Sequence, residues 1–238
     1  MGLLALAVAP GLIICFFIYL KDKYNREPLG VLLASFILGM LSIIPALILE
    51  LTLGRSFDAT AGHTTLSVAM YTFGVVAFSE EGSKFLVLRF FAFPRKAFDD
   101  PFDGIVYAVI ISMGFATVEN IGYVLQHGVG TGILRMFLSV PGHATFAVLM
   151  GYHVGLAKFN PAKRNWYFML AMLWAVIFHG TFDFFLFLDN SLLHFAGALA
   201  SFIIAIRLSR RAIRKKLVIS KSYVEGVDMI TNNDNSLI

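Results

Sequence analysis

The 238-residue chain is 58% hydrophobic and only 14% charged, with 24 Phe and a formal net charge of +4; its mean hydropathy is +0.77. Soluble domains carry about 25% charged and about 45–50% apolar residues, so a large water-soluble catalytic domain is excluded. The positive excess is accounted for by cytoplasmic loops without invoking nucleic acid, and the single cysteine, Cys15, excludes an intramolecular disulfide or a cysteine-ligated zinc site.

In chain order, apolar windows between charged or Gly/Pro-rich breaks predict seven spans, near 2–20, 29–53, 64–92, 102–126, 134–156, 165–188 and 191–208. A spanning helix needs ~20 apolar residues. These windows are too long and too uniformly apolar for barrel strands. The expected fold class is all-α, a polytopic transmembrane helical bundle. Residues 1–208 form the membrane domain, and 209–238 form a basic, then polar, cytoplasmic tail that starts as a surface helix. Residues 1–20 have neither a basic leader nor a small-residue cleavage site, so a retained span is expected. No linker or internal repeat is evident.

Lys21, Lys23 and Arg26 follow the first window. Arg89, Arg95 and Lys96 close the third, Lys158, Lys163 and Arg164 follow the fifth, and Arg207, Arg210, Arg211, Arg214, Lys215, Lys216 and Lys221 follow the seventh. Sixteen of the nineteen basic residues thus fall on one side of a seven-span chain, against Arg55 and Arg135 on the other. The positive-inside rule places the N-terminus outside and the C-terminus in the cytoplasm.

Ionisable residues inside the spans are costly, about 2.5–3.5 kcal/mol each on insertion scales, and usually face partners or a wet cavity. The third span carries Glu80-Glu81-x-x-Lys84. Its i,i+3 and i,i+4 spacing lets one lysine compensate either carboxylate on a shared helix face. The pair is either a structural ion pair or, since two acids face one base, the source of a general base. In the fourth span Phe115 and Glu119 lie one turn apart, followed by Asn120; Glu119 needs a partner from another helix, a metal, a proton or water. The fifth places His143 after Pro141-Gly142, at an expected kink on a cavity wall. The sixth carries His179-x-x-x-Asp183, a spacing that suits two metal ligands or an imidazole oriented by a carboxylate. At ~1.5 Å per residue, Glu119, His143 and His179 lie about 11–14 Å from the outer ends of their spans, and the Glu pair about 21–23 Å. Glu119, His143 and His179 thus share an outer-half layer; the Glu pair comes out deeper, but the third window is overlong, and a start several residues later brings the pair up toward that layer. Asp100-Pro101-Phe102-Asp103 reads as an N-cap with proline at N1. Glu50 is expected at the interface, and His63, His127, His153 and His194 are left out of the site.

These motifs, in this order over residues 75–185, resemble the PrsW family of membrane proteases. That family is a branch of the superfamily containing CAAX prenyl endopeptidases and bacteriocin-processing or self-immunity proteins. The wider superfamily shows Glu-Glu-x-x-x-Arg, Phe-x-x-x-His and His-x-x-x-Asn; Lys84, Glu119 and Asp183 depart from that pattern as the PrsW branch does. The resemblance implies a bacterial cell-membrane enzyme that makes the site-1 cut in a single-span anti-sigma factor on its extracytoplasmic side. Its implied catalytic set is Glu80, Glu81, Glu119, His143, His179 and Asp183, supported by Lys84 and Asn120. In one version Glu80 or Glu81 activates water while His143 and His179 assist and Asp183 orients His179. In another, His143, His179 and a carboxylate such as Asp183 bind zinc. The rival readings are a proton- or ion-coupled transporter, for which no repeated half is seen, a CAAX-type or self-immunity protein, and a non-catalytic scaffold.

Overall fold

A computed structural model describes residues 2–60, 64–188 and 192–224. His63 and the polar residues 231–235 of the tail lie outside them. Among the described residues there is no strand. Every backbone donor and acceptor in hydrocarbon must be paired within its own segment, which helices achieve. Five helical stretches are long and apolar enough to cross a membrane: Gly2–Lys21, Leu29–Gly54, Asp103–Phe159, Pro161–Phe187 and Leu192–Ser222. The chain is an all-α, multi-pass membrane bundle.

Helix α1 is Gly2–Lys21. The second expected span is two helices, α2 (Leu29–Leu41) and α3 (Ile43–Thr60). They part at Ser42, whose hydroxyl donates to the Gly39 carbonyl at 2.7 Å, just before Pro45. The third runs without interruption over residues 65–92. Helices α4 (Thr65–Ala69) and α5 (Phe78–Val87) alternate there with π-helical turns over Met70–Ala77 and Leu88–Ala92. Its charges keep it out of the five stretches. Wide π turns often mark functional positions in helices, and here they flank the turns that carry Glu80, Glu81 and Lys84.

The centre of the bundle is α6 (Asp103–Phe137), whose residues from Asp103 to Thr117 are all buried. It packs against α7 (Ser139–Phe159), α1 and α2; α7 in turn packs on α8 (Arg164–Phe187) and α9 (Leu192–Val224). Lipid offers no hydrophobic drive between helices, so close backbone approach at small residues does much of this work. A Cβ on Gly104 would stand 2.4 Å from the Gly151 carbonyl oxygen, and one on Gly114 2.1 Å from that of Phe36. Large side chains such as Ile13, Phe16, Ile44, Ile48, Leu173 and Ile203 face outward, where acyl chains cover them.

Three local expectations are corrected. The expected loop between the fourth and fifth spans is mostly helical: α6 breaks sharply at Gly128, where φ is 79° and ψ −165°, and continues to Phe137. Only glycine adopts that backbone conformation at little cost. Pro141 does not kink a span, because it lies in the first turn of α7, where no intrahelical partner for its missing N–H exists. Asp100 and Pro101 precede α6 rather than cap it at N1; the Asp100 carboxylate accepts from the Phe102 N–H at 2.6 Å.

Candidate active site

Burial sets the chemistry of the four motif helices. Glu80, Glu81, Lys84, His143 and His179 are all buried, so each charge must be met by another side chain. On α5 the helical spacing brings the Lys84 Nζ 2.7 Å from Oε1 of Glu81 and 3.4 Å from Oε2 of Glu80. The same ammonium lies 3.3 Å from Nδ1 of His143 and 4.2 Å from the Phe115 ring centroid. An ammonium can only donate, so Nδ1 of His143 accepts and its Nε2–H donates to Oε2 of Glu119 at 2.8 Å. The partner that Glu119 requires is therefore His143 on α7, joined by Arg135, whose Nη2 lies 2.8 Å from the same oxygen.

On α8, His179 Nδ1 donates to Oε1 of Glu81 at 2.8 Å. Its Nε2 lies 3.2 Å from Oδ2 of Asp183 and 3.9 Å from Oε2 of Glu80. The i,i+4 spacing thus brings the Asp183 carboxylate onto the face of α8 that carries His179. The two imidazoles are perpendicular with centroids 5.1 Å apart, and Phe146 stacks on His179 at 5.2 Å. Asn120 sits behind the site, donating to the Ala7 carbonyl at 2.9 Å and accepting from Nε of Arg135 at 3.0 Å.

These groups meet at a cavity of about 490 Å³ whose wall includes Glu80, Glu119, His143, His179 and Asp183. Glu81 and Lys84 lie behind that wall. The remaining lining is mainly apolar and aromatic, including Tyr71, Phe115, Tyr123 and Phe182. Two further wall residues escape the sequence reading. Glu50 lines the cavity, and its signal is that it is the sole ionisable residue of the second window. Arg135, counted as a loop charge, is returned to the site by the break at Gly128. Two glycines beside the motif residues serve packing: a Cβ on Gly180 would meet the Phe73 ring at 2.5 Å, and one on Gly114 the backbone of α2.

One atom each of Glu80, Glu81, His143 and His179 lie within 4.8 Å of one another, and Oε2 of Glu81 is buried without a hydrogen-bond partner. Two carboxylates and two imidazoles are a donor set that suits zinc, so the residues fit a metal. Asp183 stands outside this group of four.

A buried cluster of carboxylates, imidazoles and one ammonium thus opens on an apolar cavity within a helical membrane bundle, the groups a water-activating membrane enzyme needs. Residues 27–208 match the profile described as "PrsW family intramembrane metalloprotease", and the chain belongs to that family. It is similar to "Protease PrsW" of Geobacillus kaustophilus, 40% identical over 76% of this chain and 78% of the relative. It is also similar to the proteins of that name from Bacillus subtilis, 35% identical over 78% and 83%, and Clostridioides difficile, 36% identical over 79% and 81%. No solved structure matches it. The chain is a membrane protease.

Proposed function

We propose that this protease makes the site-1 cut in a single-span anti-sigma factor, on the extracytoplasmic side of a bacterial cell membrane, and so starts release of a sigma factor. The observation that carries the catalytic part is the shared cavity wall of Glu80, His143 and His179. Glu80 is the base: it reaches the cavity, whereas Oε1 of Glu81 is already taken by Lys84 and His179. Glu80 removes a proton from water, the resulting hydroxide attacks the scissile carbonyl, and the proton passes from Glu80 to the leaving amine. His179, held by Glu81 and Asp183, and His143, held by Lys84 and Glu119, line the position of the oxyanion. The apolar lining suits the side chains of a spanning substrate, and the polar groups of the wall can pair with backbone that the substrate frees where it unwinds.

If a metal is bound, Glu80, Glu81, His143 and His179 are the residues to hold it, and zinc supplies a Lewis acid and a bound water of pKa about 7. The N-terminus lies outside and residues 209–238 form a basic cytoplasmic tail, as the distribution of Lys and Arg supports.

The test is co-expression with tagged single-span anti-sigma factors, comparing wild type with Glu80→Gln, Glu81→Gln and His179→Ala. Cleavage is expected only with wild type, and undiminished cleavage by all three variants excludes the site. Chelation and metal analysis of purified enzyme decide the zinc version, and reporter fusions to both termini decide the orientation.

A further inference from the structure

Arg135 has no role in the reaction as described, yet it lines the cavity and touches Glu119, Asn120 and Tyr123. Its Nη2 lies 2.8 Å from Oε2 of Glu119, with the two side chains only 13% and 16% exposed, an ion pair whose angle leaves Nη2 without a hydrogen bond. Its Nε donates to Oδ1 of Asn120 at 3.0 Å, and its guanidinium lies 4.0 Å from the Tyr123 ring centroid. Three contacts of different kinds fix a planar group in position and orientation, which a lysine ammonium cannot reproduce. Asn120 is itself anchored to α1 through the Ala7 carbonyl. Arg135 reaches this position because the chain breaks at Gly128 and brings it back toward Glu119, sixteen residues earlier in the sequence.

The consequence concerns His143. Its Nδ1 is tied to Lys84 and its Nε2 to Glu119, so the ring direction depends on where the Glu119 carboxylate is held. A cavity-lining carboxylate with no second partner can rotate away toward water.

We propose that Arg135 is a positioning residue: it clamps Glu119 against Nε2 of His143 and thereby fixes the His143 ring in the cavity wall. This rests on the hydrolytic reading of the site. Loss of a supporting partner of this kind costs roughly 10–100-fold in activity, and a group that acts only through another shows no further cost once that other is gone.

The experiment uses the full chain, purified in detergent, with a tagged single-span anti-sigma factor as substrate. Arg135→Gln is expected to lower kcat by roughly 10–100-fold with KM unchanged. Arg135→Lys should recover only part, and added methylguanidine should partly restore Arg135→Ala. The double variant Glu119→Gln/Arg135→Gln should be no slower than Glu119→Gln. Nitrogen-15 NMR of histidine-labelled protein should show one fixed His143 tautomer in wild type and a mobile ring in Arg135→Gln.

A raised KM with additive losses in the double variant overturns the proposal in favour of direct substrate binding by Arg135. So does a His143 signal that Arg135→Gln leaves unchanged. If Glu80→Gln cleaves as well as wild type, the hydrolytic reading itself fails and the proposal falls with it, an outcome distinct from the other two.

Discussion

The Nζ of Lys84 lies 2.7 Å from Oε1 of Glu81, with side-chain exposures of 2% and 1%, and that same oxygen accepts from Nδ1 of His179. One carboxylate atom thus joins α5 to α8, and one ammonium joins both glutamates to α7. Removing one member of a buried ion pair leaves an uncompensated charge, at a cost of about 3–5 kcal/mol. Lys84→Met is accordingly expected to lower stability by that order, read as a large drop in the thermal midpoint of detergent-purified protein. Adding Glu81→Gln to it should recover part of the midpoint but none of the activity.

Glu80 and Glu81, adjacent in sequence, should separate experimentally. Glu80→Gln preserves shape and is expected to lower kcat by about 10²–10⁴, the range for loss of a general base, with little change in melting. Glu81→Gln should lower both activity and thermal midpoint, because it weakens the attachment of Lys84 and His179. Parallel melting curves and cleavage rates for the two variants check this.

A pH dependence of stability comes from near the start of α6, ~24 Å of helix from Glu119 at ~1.5 Å per residue. Asp22 and Glu27, in the connection between α1 and α2, are buried; Tyr107 donates to Glu27, and the Glu27 N–H donates to Asp22 at 3.2 Å. Burial pushes the Glu27 carboxyl up to about 7 and that of Asp22 up to about 6. The folded state therefore binds protons more tightly than the unfolded chain, whose carboxyls titrate near 4. This stabilisation is complete below about pH 4 and is lost as pH rises through 6 to 7. The thermal midpoint should fall between pH 5 and 8, and Glu27→Gln should flatten that fall.

The α6–α7 contact offers a packing test. A Cβ on Gly151 would stand 2.3 Å from the Gly104 carbonyl oxygen and 2.7 Å from Cα of Ile105, atoms of backbone that cannot move aside. Overpacking of this kind costs about 1–3 kcal/mol, so Gly151→Ala should melt clearly lower than wild type. Gly30→Ala, with open space around it, should melt as wild type does.

The sequence-level expectations succeeded where hydrocarbon leaves few choices. Glu80, Glu81, Lys84, His179 and Asp183 stand out because each is expensive in a span, and their i,i+3 and i,i+4 spacings anticipate contacts seen at 2.7, 3.2 and 3.4 Å. Glu50 escapes the site on sequence grounds because distance along a helix does not tell which way a side chain points. Arg135 was misplaced because a glycine break can return a residue to a helix it has already left. Pro141 reads as a kink because a helix start cannot be told from a helix interior until it is known that α6 ends at Phe137 and α7 begins at Ser139.

The sequence by itself determined that this chain is a membrane-embedded bundle and which residues are exceptional in it, since the cost of charge in lipid acts residue by residue. Only the tertiary structure decided which exceptions touch. Lys84 meets His143 across 59 positions of chain and Glu81 meets His179 across 98. Those meetings depend on how α5, α7 and α8 are gathered around α6, where Gly104, Gly114 and Gly151 let helix backbones approach closely.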